Sequence, residues 1–136
     1  MTNTTHTIML IDDNKIDNLF HARVVKKHSD TIEVIVKDSA EDGLEYLSGN
    51  QGAFPDIIFL DINMPGMSGW DFLEAFRKLE QNSLDTLIMV MLGTFETATP
   101  EMQTKIDGLF AGFAPKPLTK ETVDEVMARY NLKQDL

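Results

Sequence analysis

Four residues carry the most distinctive chemistry in this sequence. They are Asp12 and Asp13 in "IMLIDDN", Asp61 in "IIFLDINMPGMSGW" and Lys116 in "GFAPKPLTKE". Three carboxylates brought together repel, and one would keep its proton unless a cation joined them. Few protein carboxylates, with room for water and phosphate oxygens, suit Mg²⁺, a hard ion that sheds its water reluctantly. A lysine adds a compact positive charge for a phosphate oxygen. An aspartate beside such a cation is a nucleophile towards phosphorus and forms an acyl phosphate. Metal and lysine then offset the charge on the transferred group.

Taken singly, each residue has a plainer use. Asp12-Asp13-Asn14 after an apolar run also reads as a turn and helix cap. Pro65-Gly66 punctuates a turn. A lysine before a proline is commonly a solvated loop residue. Met64 and Met67 read as packing. His6, His21 and His28 show no ligand spacing and read as surface residues. The joint placement of the acids and the lysine is what these plain uses leave unexplained.

That placement depends on the elements around them. Five short apolar runs alternate with helix-like segments: "TIMLI" (7–11), "IEVIV" (32–36), "DIIFL" (56–60), "LIMVML" (87–92) and "LFAGFA" (109–114). Near-continuous apolar strands imply burial on both faces, as in a parallel sheet. Over 16–27, Ile16, Leu19, Phe20, Arg23 and Val24 recur at helical spacing and predict the inward stripe of the first helix. Ser39 caps the next, carrying Leu44 and Leu47. Ser68, with Asp71 three residues on, opens a helix with the stripe Phe72, Leu73, Phe76 and Leu79. Pro100 suits a first helical turn, with Met102 and Ile106 inside. Thr119 caps a last helix in which Val123, Val126, Met127 and Tyr130 share a face. Right-handed crossovers make this βα pattern a doubly wound α/β sandwich, (βα)5, around a parallel five-stranded sheet. Sites in such sheets form at the carboxyl ends of strands. Asp12 and Asp13 follow the first run, Asp61 the third, Gly93 and Thr94 the fourth and Lys116 the fifth, so they meet at one edge.

Composition narrows the class. The 136 residues suit a single domain over 1–136, with 1–6 and 131–136 as frayed ends. There is no cysteine, which excludes a disulfide framework and thiol chemistry. A net charge of −10 argues against direct nucleic-acid binding. The start "MTNTTHT" has no basic flank or apolar core of a leader, and no run is long enough to span a bilayer, so a cytoplasmic protein with no membrane association is expected.

These stretches, in this order along nearly the whole chain, resemble the receiver domain of two-component response regulators, of the stand-alone chemotaxis type. "DINMPGMSG" with a later "KPL" is the specific part. The resemblance implies the flavodoxin-like strand order 2-1-3-4-5. It implies that Asp61 is the phosphoacceptor and that Asp12 and Asp13 hold Mg²⁺ with it, the Asn63 main-chain carbonyl being a further ligand. It makes Lys116 the family's phosphate-contacting lysine, the Lys116–Pro117 bond cis and Phe113 the switch aromatic of the last strand. It places the usual output face around Met102–Tyr130, where Phe110, Phe113 and Tyr130 are either aromatic anchors or core. There is one departure. Where the family has Thr or Ser after the fourth strand, this chain has Gly93, with Thr94 next. Either a kink at Gly93 turns Thr94 towards Asp61 to supply the hydroxyl, or no hydroxyl reaches the site and the phosphoryl group relies on Mg²⁺, Lys116 and backbone amides.

The expected function is a phosphorylatable switch. It takes a phosphoryl group on Asp61 from a histidine kinase or a histidine phosphotransfer protein, as a monomer or weak dimer, and acts through another protein. It is not an enzyme beyond self-phosphorylation from a phosphodonor and autodephosphorylation. Two alternatives stand beside it. A pseudo-receiver would bind partners without phosphorylation. A dehalogenase-type phosphatase would also use a strand-end Asp and Mg²⁺, but it needs a second acid where this chain has Asn63.

Overall fold

Strands and helices alternate along the chain because the apolar runs do. The computed structural model describes residues 6–49, 54–79, 85–93 and 96–134. In order these form β1 (Thr7–Ile11), α1 (Lys15–His28), β2 (Glu33–Lys37), α2 (Ala40–Gly49), β3 (Ile57–Asp61), α3 (Gly69–Arg77), β4 (Leu87–Leu92), α4 (Pro100–Lys105), β5 (Ala111–Pro115) and α5 (Lys120–Gln134). The strands are parallel and lie in the order β2-β1-β3-β4-β5, the doubly wound arrangement expected.

Successive side chains on a strand point to opposite faces, so each central strand feeds two cores. Ile8, Leu10, Ile57, Phe59, Met89 and Met91 pack with Val24 and Val25 of α1 and with Val123, Val126 and Met127 of α5. Met9, Ile11, Ile58, Leu60, Ile88 and Val90 pack with Leu47 of α2 and with Phe72, Leu73 and Phe76 of α3. β1, β3 and β4 are buried throughout. β2 is not: its place at the sheet edge leaves Glu33 and Val36 exposed, and the expectation of two buried faces fails there.

Side-chain caps start the helices. Asn14 accepts from the Ile16 and Asp17 amides, and Ser68 forms a capping box with Asp71. Thr99 caps α4 ahead of Pro100. Ser39 and Thr119 accept from the Asp42 and Thr122 amides.

Helix α1 departs from its expected stripe. Ile16, Leu19 and Phe20 are 77%, 56% and 48% exposed, whereas Asn18, His21, Val24 and Val25 face inward. His21 is therefore a core histidine and not a surface residue. The reason lies at the strand ends. The Asn18 Nδ2 donates to the Asp12 carbonyl at 2.7 Å and to the Lys37 carbonyl at 3.4 Å, so α1 turns a polar edge inward.

At the far end of the sheet, one carboxylate ties the first strand to the last helix. Asp56 accepts from the Thr7 amide at 2.8 Å and from the Tyr130 hydroxyl at 2.9 Å. Burial, with Asp56 beside it, raises the Tyr130 phenol well above its ordinary pKa. Tyr130 is thus core and not an exposed anchor, and residues 131–134 are helical where fraying was expected.

Candidate functional site

Asp61 is the last residue of β3, in phase with Ile57 and Phe59, so it faces the α1 and α5 side of the sheet. Asp12 follows β1 in phase with Leu10 and faces the same side. Lys116 follows β5, its amide donating to the Leu92 carbonyl at 2.7 Å, and the Lys116–Pro117 peptide is cis.

The ammonium of Lys116 joins the two strand ends. It lies 2.9 Å from Asp12 Oδ2, 3.1 Å from Asp61 Oδ1 and 3.7 Å from Asp17 Oδ2. Asp12, Asp13 and Asp61 each bring a carboxylate oxygen within 4.8 Å of the others. Asp12 and Asp61 are buried and Asp13 is exposed. The site opens into a cavity of about 260 Å³, which Asn63, Asp17, Gly93 and Glu96 also line. All-oxygen donors at an open edge with space for water are what a hard divalent cation takes.

The charges are under tension. Burial raises the pKa of Asp61, the Asp12 and Asp13 charges add to that, and Lys116 opposes it. Burial pulls Lys116 down, but its hydrogen bonds to Asp12 and Asp61 outweigh this and raise it, so it stays an ammonium.

Local sequence fixes the geometry. Asp12 Oδ1 accepts from the Asn14 amide at 2.9 Å, which hands the chain from strand to helix cap. After Asp61, Gly66 takes φ +76°, and the Met67 amide donates to Glu41 Oε2 at 3.2 Å. The Gly69 amide then donates to the Ile62 carbonyl at 2.9 Å. A Cβ at Gly69 would stand 2.6 Å from the Asp61 carbonyl oxygen, so this turn closes only on glycine.

The structure brings Asp12, Asp13, Asp61, Asn63, Gly93 and Lys116 around one cavity. It sends Phe113 to the opposite side of the sheet, half-buried against the α2 and α3 core. Thr94 lies outside the described residues. The sequence reading did not single out Asp17, Asn18 or Glu96. Asp17 and Asn18 had a signal: they stand on the helix turn that follows the acidic pair. Glu96 had none.

A doubly wound parallel sheet with a strand-end aspartate, an acidic pair and a lysine at one edge defines the class of protein. The profile of the response regulator receiver domain matches residues 8–128, and the chain belongs to that family. It is 30% identical over 122 residues to a nitrate/nitrite response regulator homolog of Haemophilus influenzae, covering 90% of this chain and 55% of that one. The chain thus spans about half the length of this curated relative. The solved chemotaxis protein CheY4 of Vibrio cholerae shares 26% identity at a TM-score of 0.75, covering 93% of this chain and 99% of that one. A two-component response regulator from Legionella pneumophila shares 24% identity at a TM-score of 0.79, with 94% and 99% covered. Receiver domains are aspartate-based signalling switches. No helix among the described residues is long and apolar enough to cross a membrane.

Proposed function

We propose that the chain acts as a single cytoplasmic receiver domain that accepts a phosphoryl group on Asp61 with the help of Mg²⁺. The observation that carries this reading is the Lys116 ammonium lying between Asp12 and Asp61, beside the clustered carboxylates. Asp12, Asp13, Asp61 and the Asn63 carbonyl would hold the ion, whose charge would offset that of the phosphoryl oxygens. An Asp61 carboxylate oxygen forms the new bond to phosphorus. The bond from phosphorus to the donor's imidazole nitrogen, or to the acetate oxygen of acetyl phosphate, breaks, and its electron pair leaves with the donor. Lys116 keeps its proton and neutralises the product. Autodephosphorylation by water belongs to the same reading.

The phosphodonor is a histidine kinase or a histidine phosphotransfer protein. The outward residues Ile16, Leu19 and Phe20 offer it an apolar face beside the site. Against a phosphatase stands Asn63, which lines the cavity where that chemistry needs an acid.

Incubation with acetyl phosphate and Mg²⁺, followed by intact mass, tests the reading. Wild type gains one phosphoryl group. Asp61→Asn, and wild type in EDTA, gain none. A wild type that never gains the mass, while still binding its partners, favours the pseudo-receiver.

A further inference from the structure

Position 93 belongs to the series of residues that face Asp61. Met89 and Met91 of β4 point to the α1 and α5 side, and Gly93 follows in phase. A Cβ built there would stand 3.1 Å from Glu96 Oε1, 3.6 Å from its Cδ and 3.8 Å from its Cγ. The carboxylate of Glu96 therefore occupies the space that a side chain at 93 would enter. Two hydrogen bonds keep it there. The Gly93 amide donates to Glu96 Oε1 at 2.6 Å, and the Glu96 amide donates to the Gly93 carbonyl at 3.0 Å. Glu96 is otherwise exposed and lines the cavity that holds Asp61 and Lys116.

We propose that Glu96 competes with the phosphoryl group for the Gly93 amide. Its carboxylate holds that amide until Asp61 is phosphorylated, and the new charge then displaces it. The inference rests on Asp61 being the phosphoacceptor. A carboxylate only accepts hydrogen bonds, so it has nothing to donate to a phosphoryl oxygen. Two anions competing for one N–H repel at contact distance. The bond they contend for is charge-assisted and therefore of the stronger kind. Residue 93 thus contributes an amide in place of a hydroxyl, and Glu96 controls when that amide is released. Losing the carboxylate should ease phosphorylation, because nothing then has to be displaced.

The test follows Gly93 by amide NMR and Asp61 by intact mass, in wild type, Glu96→Gln and Glu96→Ala. In the unphosphorylated proteins the Gly93 proton moves upfield in Glu96→Ala. Phosphorylation of wild type shifts the same resonance. The initial rate of mass gain from acetyl phosphate rises in Glu96→Ala by a factor on the order of ten, as expected for losing one charge-assisted bond. Glu96→Gln, which keeps an acceptor without the charge, falls between. A wild type that gains mass at the rate of Glu96→Ala, or a Gly93 resonance indifferent to the substitution, overturns the inference alone. A wild type that gains no mass overturns it together with the phosphoacceptor reading. Because Glu96 is exposed, both variants are expected to fold.

Discussion

Helices α1 and α3 lie on opposite faces of one sheet, and both begin at a side-chain cap. They meet the sheet with opposite chemistry. α3 buries Phe72, Leu73 and Phe76, with Phe72 and Phe76 stacked at 6.0 Å between ring centroids. α1 turns Asn18 and His21 inward beside Val24 and Val25, and leaves Ile16, Leu19 and Phe20 in water. α3 serves the core. α1 stands directly behind Asp12, and its inner face supports the strand end that carries the acids. Next to this site, α1 gives up part of its apolar contact to anchor polar groups and leaves apolar residues outward.

The widest separation between the two helices is expected in stability. Phe76→Ala should cost about 3–5 kcal/mol in urea unfolding, because the ring is fully buried. Phe20→Ala should cost only about 1 kcal/mol, because the ring is half exposed. Equal losses at the two positions would erase the contrast. Next in size is Asn18→Ala, which strips the Asp12 carbonyl of its donor. The expected cost is about 1–3 kcal/mol, with slower mass gain from acetyl phosphate.

A smaller effect concerns pH. Burial lowers the His21 pKa below its usual 6.5, with Lys116 acting the same way and Asp12 and Asp17 opposing. Above 6.5 the ring is neutral in both folded and unfolded chains and adds no pH dependence. As pH falls through 6.5 the unfolded chain takes up a proton that the folded chain resists, so stability drops. Thermal melts of His21→Gln should show a shallower decline over that range than wild type. The smallest effect on folding is expected from Leu19→Asp. It should lower the melt only slightly and leave phosphorylation by acetyl phosphate intact, yet slow transfer from a phosphohistidine donor. Equal slowing with both donors would remove the outward face from the docking role.

The contrast between the helices also marks what the sequence reveals. The central strands are legible because burial on both faces demands unbroken apolar runs, and β1 and β4 have the expected bounds. Asp12, Asp61 and Lys116 are legible because a charged residue ending such a run stands at the sheet edge. The α1 stripe is not, because periodicity counts apolar residues and takes no account of a carbonyl that needs a donor. Only Val24 of the expected stripe is buried. β2 reads as interior because composition cannot tell an edge strand from a central one. Glu96 is invisible for another reason: nothing in the spacing shows that a side chain folds back onto an amide three residues earlier.

The Asp56 carboxylate bears on how this unit can be trimmed or transplanted. It is shared by the Thr7 amide and the Tyr130 hydroxyl, so the opening strand and the closing helix meet on a single acid. The family profile stops at residue 128, short of that tyrosine. A fragment cut there would retain every acid and the lysine of the site, yet leave Asp56 without its phenol partner and uncover the base of β1. For this chain, a cut that keeps Tyr130 is therefore expected to leave a more stable fragment than one made where the profile ends.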